Sequence, residues 1–253
     1  MNEPITNQGN LEIIVETFED VLAAVGGGAT QLDLKAHYPC SGVSPSAGII
    51  ARVLRAVDIP VMVMVRPHAR SLVMSREDID TACEEIRLAR KLGASNFLVG
   101  FLNSRNDLDI DGLMRIKEAA GDCALHANLV WELSNDPIMA IEQLIESGFS
   151  SLRAGGKTAS SGAFGGSVVK AIPAILAYKN AIARRIRILL AGGVNESNIE
   201  EIILKTGIID LHCGRFARTP ESADAAVDRD KVSRLRAQQI KAIHDLNKDA
   251  SSL

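Results

Sequence analysis

The sequence predicts a single-domain α/β fold, a closed (β/α)₈ TIM barrel, and three observations predict it. The chain has 253 residues, close to the roughly 250 of a one-domain α/β barrel. Amphipathic segments end at glycine and run into short apolar stretches in AVGGGATQLDL, KLGASNFLVG, ESGFSSLRAG and KTGIIDLHCG. A left-handed glycine ends a helix at little cost, so each junction reads as helix into strand. Gly28, Gly93, Gly148 and Gly207 are spaced by 65, 55 and 59 residues, about two strand–helix steps of ~30 residues each. Apolar runs between these junctions bring the strands to eight, a number that favours closure over an open doubly wound sheet.

The elements follow in order. LEIIVE (11–16) opens the series, and QLDL follows Gly28. VMVMVR (61–66) follows Pro60, NFLVG follows Gly93, and CALHAN (123–128) follows Gly121. SSLRAG, RILLAG (187–192) and IIDLHCG complete the set. The runs are nearly continuous and apolar, as strands covered on both faces require. EDIDTACEEIRLARKL (77–92) and DPIMAIEQLIES (136–147) carry helical periodicity between them. No linker divides the chain, so residues 11–253 form one barrel domain. Its last helix (229–248) either docks on the barrel or serves a subunit interface. Residues 1–10, MNEPITNQGN, read as a disordered polar segment without the apolar core of a signal peptide.

Composition narrows the function classes. The net charge is −3, from 28 basic and 31 acidic residues, and no block of five like charges occurs. A nucleic-acid partner is therefore not expected. No apolar run approaches the ~20 residues of a membrane span, and a cytoplasmic protein is expected. Cys40, Cys83, Cys123 and Cys213 are scattered, which argues against a disulfide framework or a structural zinc site.

Polar residues at strand ends of a barrel point into its site. Here they are Glu12, Asp33, Arg66, His126, Asn128, Lys157 and His212. Glu12 lies inside an apolar run, so it must be paired or sit in a wet cavity. Arg66 could pair with it or with Asp33 as pure structure; the functional reading is that the pair brackets a substrate and supplies acid/base groups. His126 and Asn128 share one parity, so both can face the interior. His37 and His68 lie in loops beyond strand ends, and His244 on the terminal helix reads as solvated.

The last strands end in RAGGKTAS (153–160), LAGGVNES (190–197) and HCGR (212–215). Glycine turns there can present backbone N–H groups to an anion. Gly155, Gly156, Gly192 and Gly193, with Lys157 and Arg215, form the expected phosphate-binding set. The alternative is that the glycines only permit tight turns, with Asn195 or Ser197 capping a helix. Met62 and Met64 share a strand face, and with Cys213 they could offer sulfur to Cu(I); alternating methionines also simply fill cores. Histidines and carboxylates could hold a divalent ion, although no compact ligand motif is present.

The segments LEIIVET, QLDLKA, GVSPSAGII, IPVMVMVRPHA, FLVGFLN, NDPIMAIEQLIESG, LLAGGVNESNIEEI and IIDLHCGR resemble the CutC family of copper homeostasis proteins, which are (β/α)₈ barrels. The resemblance implies that Glu12, Asp33, Arg66 and His212 occupy the family's polar strand-end positions. It also implies a cytoplasmic protein, often a homodimer, with copper as the family label. Strand five departs from the family's Phe-His-Arg-Ala-Phe-Asp motif. Asn128 stands at its His, Leu129 at its Arg, Trp131 at its second Phe and Glu132 at its Asp. His126, two residues earlier on the same face, is the candidate replacement imidazole. Its depth favours an orienting role, while Trp131 and Glu132 are expected to touch substrate.

Two functions follow. The first is an isomerase or lyase without an organic cofactor, acting on a small anionic or phosphorylated metabolite. Its catalytic set would be Glu12, Asp33, Arg66, Asn128, Glu132 and His212. His126, Trp131, Lys157, Arg215 and the four turn glycines would bind substrate. The second is a copper-binding or trafficking protein.

Overall fold

The structure, a computed structural model, describes residues 8–156 and 166–251. Eight parallel strands close into a barrel in sequence order. They are β1 (Leu11–Val15), β2 (Gln31–Leu34), β3 (Val61–Met64), β4 (Asn96–Val99), β5 (Ala124–Ala127), β6 (Ser151–Ala154), β7 (Arg187–Leu190) and β8 (Leu211–Cys213). The helices are α1 (Phe18–Gly26), α2 (Ala47–Leu54), α3 (Arg76–Lys91), α4 (Ile110–Ala120), α5 (Pro137–Glu146), α6 (Ile172–Ile182), α7 (Ile199–Thr206) and α8 (Arg229–Ser251). Closure is completed by β1 pairing with β8, with Glu12 opposite His212.

Strand parity separates two cores. Ile13, Val15, Leu32, Leu34, Val63, Phe97, Val99 and Leu152 face outward and pack under the helices in one continuous cluster. The other parity faces the barrel axis. There Met62, Met64 and Leu98 form a small apolar cluster of their own, and polar side chains from the other strands fill the rest.

The helices start where local chemistry dictates. Thr17 accepts from the Asp20 N–H while Asp20 reaches back to Thr17 N–H, and Ser75 and Asp78 do the same for α3. Such reciprocal caps satisfy donors that a helix N-terminus would otherwise leave unpaired.

The N-terminal floor of the barrel corrects one expectation. Residues 8–10 are part of the fold: Asn10 is buried, its N–H donates to Asp210 Oδ1 at 2.6 Å, and Gln239 of α8 donates to its carbonyl at 2.8 Å. Residues 1–7 lie outside the described residues. The α8 helix docks on the barrel through Val232, Leu235, Ala242 and Ile243, against α1 and α7. Gly27 allows this approach, since a Cβ there would sit 2.6 Å from the Arg229 carbonyl oxygen. Among the described residues no helix is long and apolar enough to cross a membrane.

Candidate functional site

At the C-terminal mouth the barrel opens into a cavity of about 230 Å³. Asp33, Lys35, Tyr38, Met64, Arg66, Asn128, Arg153, Gly192, Gly193, His212 and Arg215 are among its lining residues. This is the face where barrel strands deliver their terminal side chains.

Its base is a buried charge network. Glu12 is fully buried and accepts two bonds from Arg153, one from Nε at 2.9 Å and one from Nη2. His212 Nδ1 lies 2.6 Å from Glu12 Oε1, and Gln31 Nε2 donates to Glu12 Oε2 at 2.7 Å. Burial alone would push the Glu12 carboxyl up, but the Arg153 charge and the His212 contact outweigh it and hold it well below the usual carboxylate range. An ionised Glu12 can only accept, so His212 carries its proton on Nδ1. Nε2 faces Asp33 Oδ2 at 4.0 Å.

Asp33 is also fully buried. Lys35 Nζ lies 2.7 Å from its Oδ2, yet neither Asp33 oxygen has an aligned hydrogen bond. Glu12, Asp33 and His212 each offer a donor atom within 4.8 Å of the others. These are the sequence-predicted residues that the fold brings together.

Below them a relay reaches into the barrel. Arg153 Nη1 donates to Ser151 Oγ at 3.1 Å, Ser151 Oγ lies 2.7 Å from His126 Nδ1, and His126 Nε2 lies 3.2 Å from Asn96 Oδ1. His126 therefore does not line the cavity as a substrate-binding group. It orients the serine that supports Arg153, and burial together with the Arg153 charge drops its pKa to about 3.

Several other expectations are corrected. Arg66 pairs with neither Glu12 nor Asp33. Its guanidinium donates to the carbonyls of Cys40, Gly42, Ala69 and Ser71, clamping the loops after β2 and β3. Trp131 is 1% exposed; its Nε1–H donates to the Arg153 carbonyl at 2.9 Å, and its ring packs edge-on against Tyr178. Glu132 is equally withdrawn. It accepts from the Gly155 N–H at 3.0 Å and the Gly156 N–H at 2.8 Å. The glycine turn predicted to bind a ligand anion is thus filled by a carboxylate of the chain itself. The cause is the 3₁₀ turn Leu129–Leu133, which swings both side chains away from the axis toward β6. Asn128 lines the cavity but spends its Oδ1 on the Val130 N–H, capping that turn.

Gly192 and Gly193 remain at the mouth with φ of +84 and +86, a region suited to glycine. Asn195 and Asn198 donate to the Gly193 carbonyl, and among the described residues the two glycine N–H groups meet no acceptor. Arg215 is exposed beside them, its guanidinium over the Phe216 ring. Lys157 lies outside the described residues.

The sulfur set is not assembled. Met62 and Met64 sit inside the barrel against Leu98, whereas Cys213 faces the helices and donates to the Val194 carbonyl at 3.3 Å. Burial pushes the Cys213 thiol up to about 12. The donors that do converge, two carboxylates and an imidazole, do not suit Cu(I).

Three further residues line the cavity. Arg153 is a charge inside the apolar SSLRA run, the same signal that singled out Glu12. Lys35 lies two residues past Asp33 and so shares its face. Tyr38, whose hydroxyl accepts from the Arg215 N–H at 3.0 Å, had no sequence signal.

The comparisons agree with this fold. The CutC family matches residues 9–216. A CutC family protein from Pasteurella multocida is 28% identical over 92% of this chain and 96% of its own length. The human copper homeostasis protein cutC homolog is 26% identical over 80% of this chain and 72% of its own. A CutC structure from Streptococcus agalactiae superposes with a TM-score of 0.75 at 23% identity, covering 81% of this chain and 97% of that one. More distant barrels, such as a phosphoribosyl anthranilate isomerase from Thermococcus kodakaraensis (TM-score 0.58, 17% identity, covering 91% of this chain and 98% of that one), share the fold. The chain belongs to the CutC family.

Proposed function

We propose that this CutC barrel is an acid/base enzyme of the isomerase or lyase type, acting on a small anionic or phosphorylated metabolite. One observation carries the reading. His212, fixed through Nδ1 on an ionised Glu12, turns its Nε2 toward Asp33 at the base of the cavity. A base held by a buried carboxylate is oriented before substrate arrives, which is how positioned side chains accelerate proton transfer. Arg153 keeps Glu12 ionised and so keeps the proton on Nδ1. Lys35, Arg66, Arg153 and Arg215 line the cavity against one lining carboxylate, Asp33, with Glu12 behind it. That balance favours an anion, and the N–H groups of Gly192 and Gly193 beside Arg215 supply a place for it.

The test is solvent exchange. Incubated with small-molecule cell extract in D₂O, the protein should deplete or deuterate a metabolite at carbon. His212→Gln should slow this by about 10²-fold or more, the usual contribution of a general base. The reading fails if the wild type changes no metabolite, or if the variant matches it.

Copper enters through the relatives' names alone. Met62 and Met64 lie on the opposite face of the barrel wall from Cys213. Competition titration with Cu(I) should therefore give no tight site that Met64→Leu or Cys213→Ser removes. A stoichiometric site lost in those variants would favour copper handling instead.

A further inference from the structure

We propose that Lys35 is a covalent nucleophile that forms a Schiff base with a small anionic aldehyde or ketone. This rests on reading the cavity as the site of a small anionic metabolite, and it names the reacting group.

Lys35 is 6% exposed and lines the cavity. Its bland role would be to neutralise Asp33. The contrast with Glu12 argues for more. Where a carboxylate only needs neutralising, this barrel uses Arg153 in a two-point grip. At Asp33 it places an ammonium instead, 2.7 Å away and outside hydrogen-bond alignment. Lysine offers a single nitrogen that can lose its proton and attack carbon, which guanidinium does not.

The surroundings hold that nitrogen in place. Gly42 has φ +87, and a Cβ there would lie 2.5 Å from Lys35 Cδ, so the loop forgoes a side chain to let the lysine stem lie down. Arg66 fixes that loop by taking the Cys40 and Gly42 carbonyls at 3.0 and 3.2 Å. Tyr38 closes the other side, with Nζ 5.9 Å from its ring centre. The nearby cations, Arg66, Arg153 and Arg215, supply attraction for the anionic part of the substrate.

The chemistry balances without a further reactant. Nζ gives a proton to Asp33, and the neutral amine adds to the carbonyl carbon. The carbonyl oxygen takes that proton and becomes a carbinolamine hydroxyl. A second proton from nitrogen, relayed through Asp33 and His212 Nε2, lets the oxygen leave as water. The product is a protonated imine, so the sum is ammonium plus carbonyl giving iminium plus water. The iminium then draws electrons from the neighbouring C–H or C–C bond, the step an isomerase or a lyase requires.

Glyoxylate, a two-carbon anionic aldehyde, with sodium borohydride tests this on the intact wild-type protein. Borohydride reduces the imine to a stable secondary amine, and peptide mass mapping reads which lysine carries it. Lys35 should be labelled on the order of tenfold faster than the exposed Lys91, as expected of an activated amine nucleophile. Asp33→Asn should slow labelling at Lys35 and leave Lys91 unchanged, and Lys35→Arg should remove only the site-specific label. Labelling at Lys35 no faster than at Lys91 overturns the proposal. If it is overturned while His212-dependent exchange persists, the acid/base reading stands without a covalent step. If both are absent, both readings fall.

Discussion

Arg153→Met is expected to cost about 3–5 kcal/mol of folding stability at neutral pH, the usual loss when one partner of a buried ion pair is removed. Glu12 is fully buried and Arg153 is 1% exposed. Without the guanidinium, the Glu12 carboxylate keeps only Gln31 and His212 as partners. Ser151 would lose the donor that links it to His212 through Glu12. The double variant Glu12→Gln with Arg153→Met should recover much of the loss, because no uncompensated charge remains. The pH dependence has a definite sign. The folded Glu12 is held below its ordinary range, so its stabilisation is present above that range and fades as pH falls through the depressed value. Removing Arg153 removes this contribution, so the deficit of the variant should hold from pH 7 to about 4.5, the ordinary carboxylate value, and shrink as pH falls further toward 3. Urea unfolding across that range measures both effects. A loss below about 1 kcal/mol, typical of exposed pairs, would show that water reaches Glu12.

The same pair marks the boundary of what was legible. The eight strands could be read because each is an apolar run, seven of them introduced by a glycine or proline and β7 by a basic helix end, and the helices between them carry period 3.6. Glu12, Asp33 and His212 could be read because a polar residue in a buried strand needs a reason, and parity sends all three inward. Their partners could not. Arg153 sits on β6 and Glu12 on β1, strands that are not neighbours; they meet only because closure brings opposite walls within one side-chain length. Arg66 misled for the converse reason. Its charge suggested a carboxylate, but the loops after β2 and β3 offer four carbonyls that take the donors of both terminal guanidinium nitrogens. Trp131 and Glu132 misled because residues just past a strand end were expected to face the mouth, whereas the 3₁₀ turn after Ala127 carries them toward β6. The phosphate expectation at Gly155 and Gly156 overlooked an internal occupant: both N–H groups donate to the Glu132 carboxyl.

That internal carboxyl leads to the second expected result: stability should fall by up to about 3 kcal/mol between pH 5 and pH 8, and Glu132→Gln should flatten the fall. Glu132 is 3% exposed, and burial raises its carboxyl from the usual 4.5 to about 7, against the opposing pull of the Gly155 and Gly156 N–H groups. Its charge acts on Tyr178, whose hydroxyl is pushed up to about 12 mainly by burial. No cation among the described residues pairs with Glu132 in a salt bridge. A carboxyl whose folded pKa is raised stabilises fully below the unfolded value, and the advantage is lost as pH climbs through the folded one. The glutamine variant cannot ionise, so its slope should lack this contribution. It turns an amide NH₂ toward one glycine N–H, and at pH 5 it should be about 1 kcal/mol less stable than wild type. The two profiles should then converge or cross toward pH 8. A wild-type slope that survives intact in Glu132→Gln would mean the two backbone donors outweigh burial. The end of β6 would then be built on a permanent charge, and no proton would leave it anywhere in the physiological range.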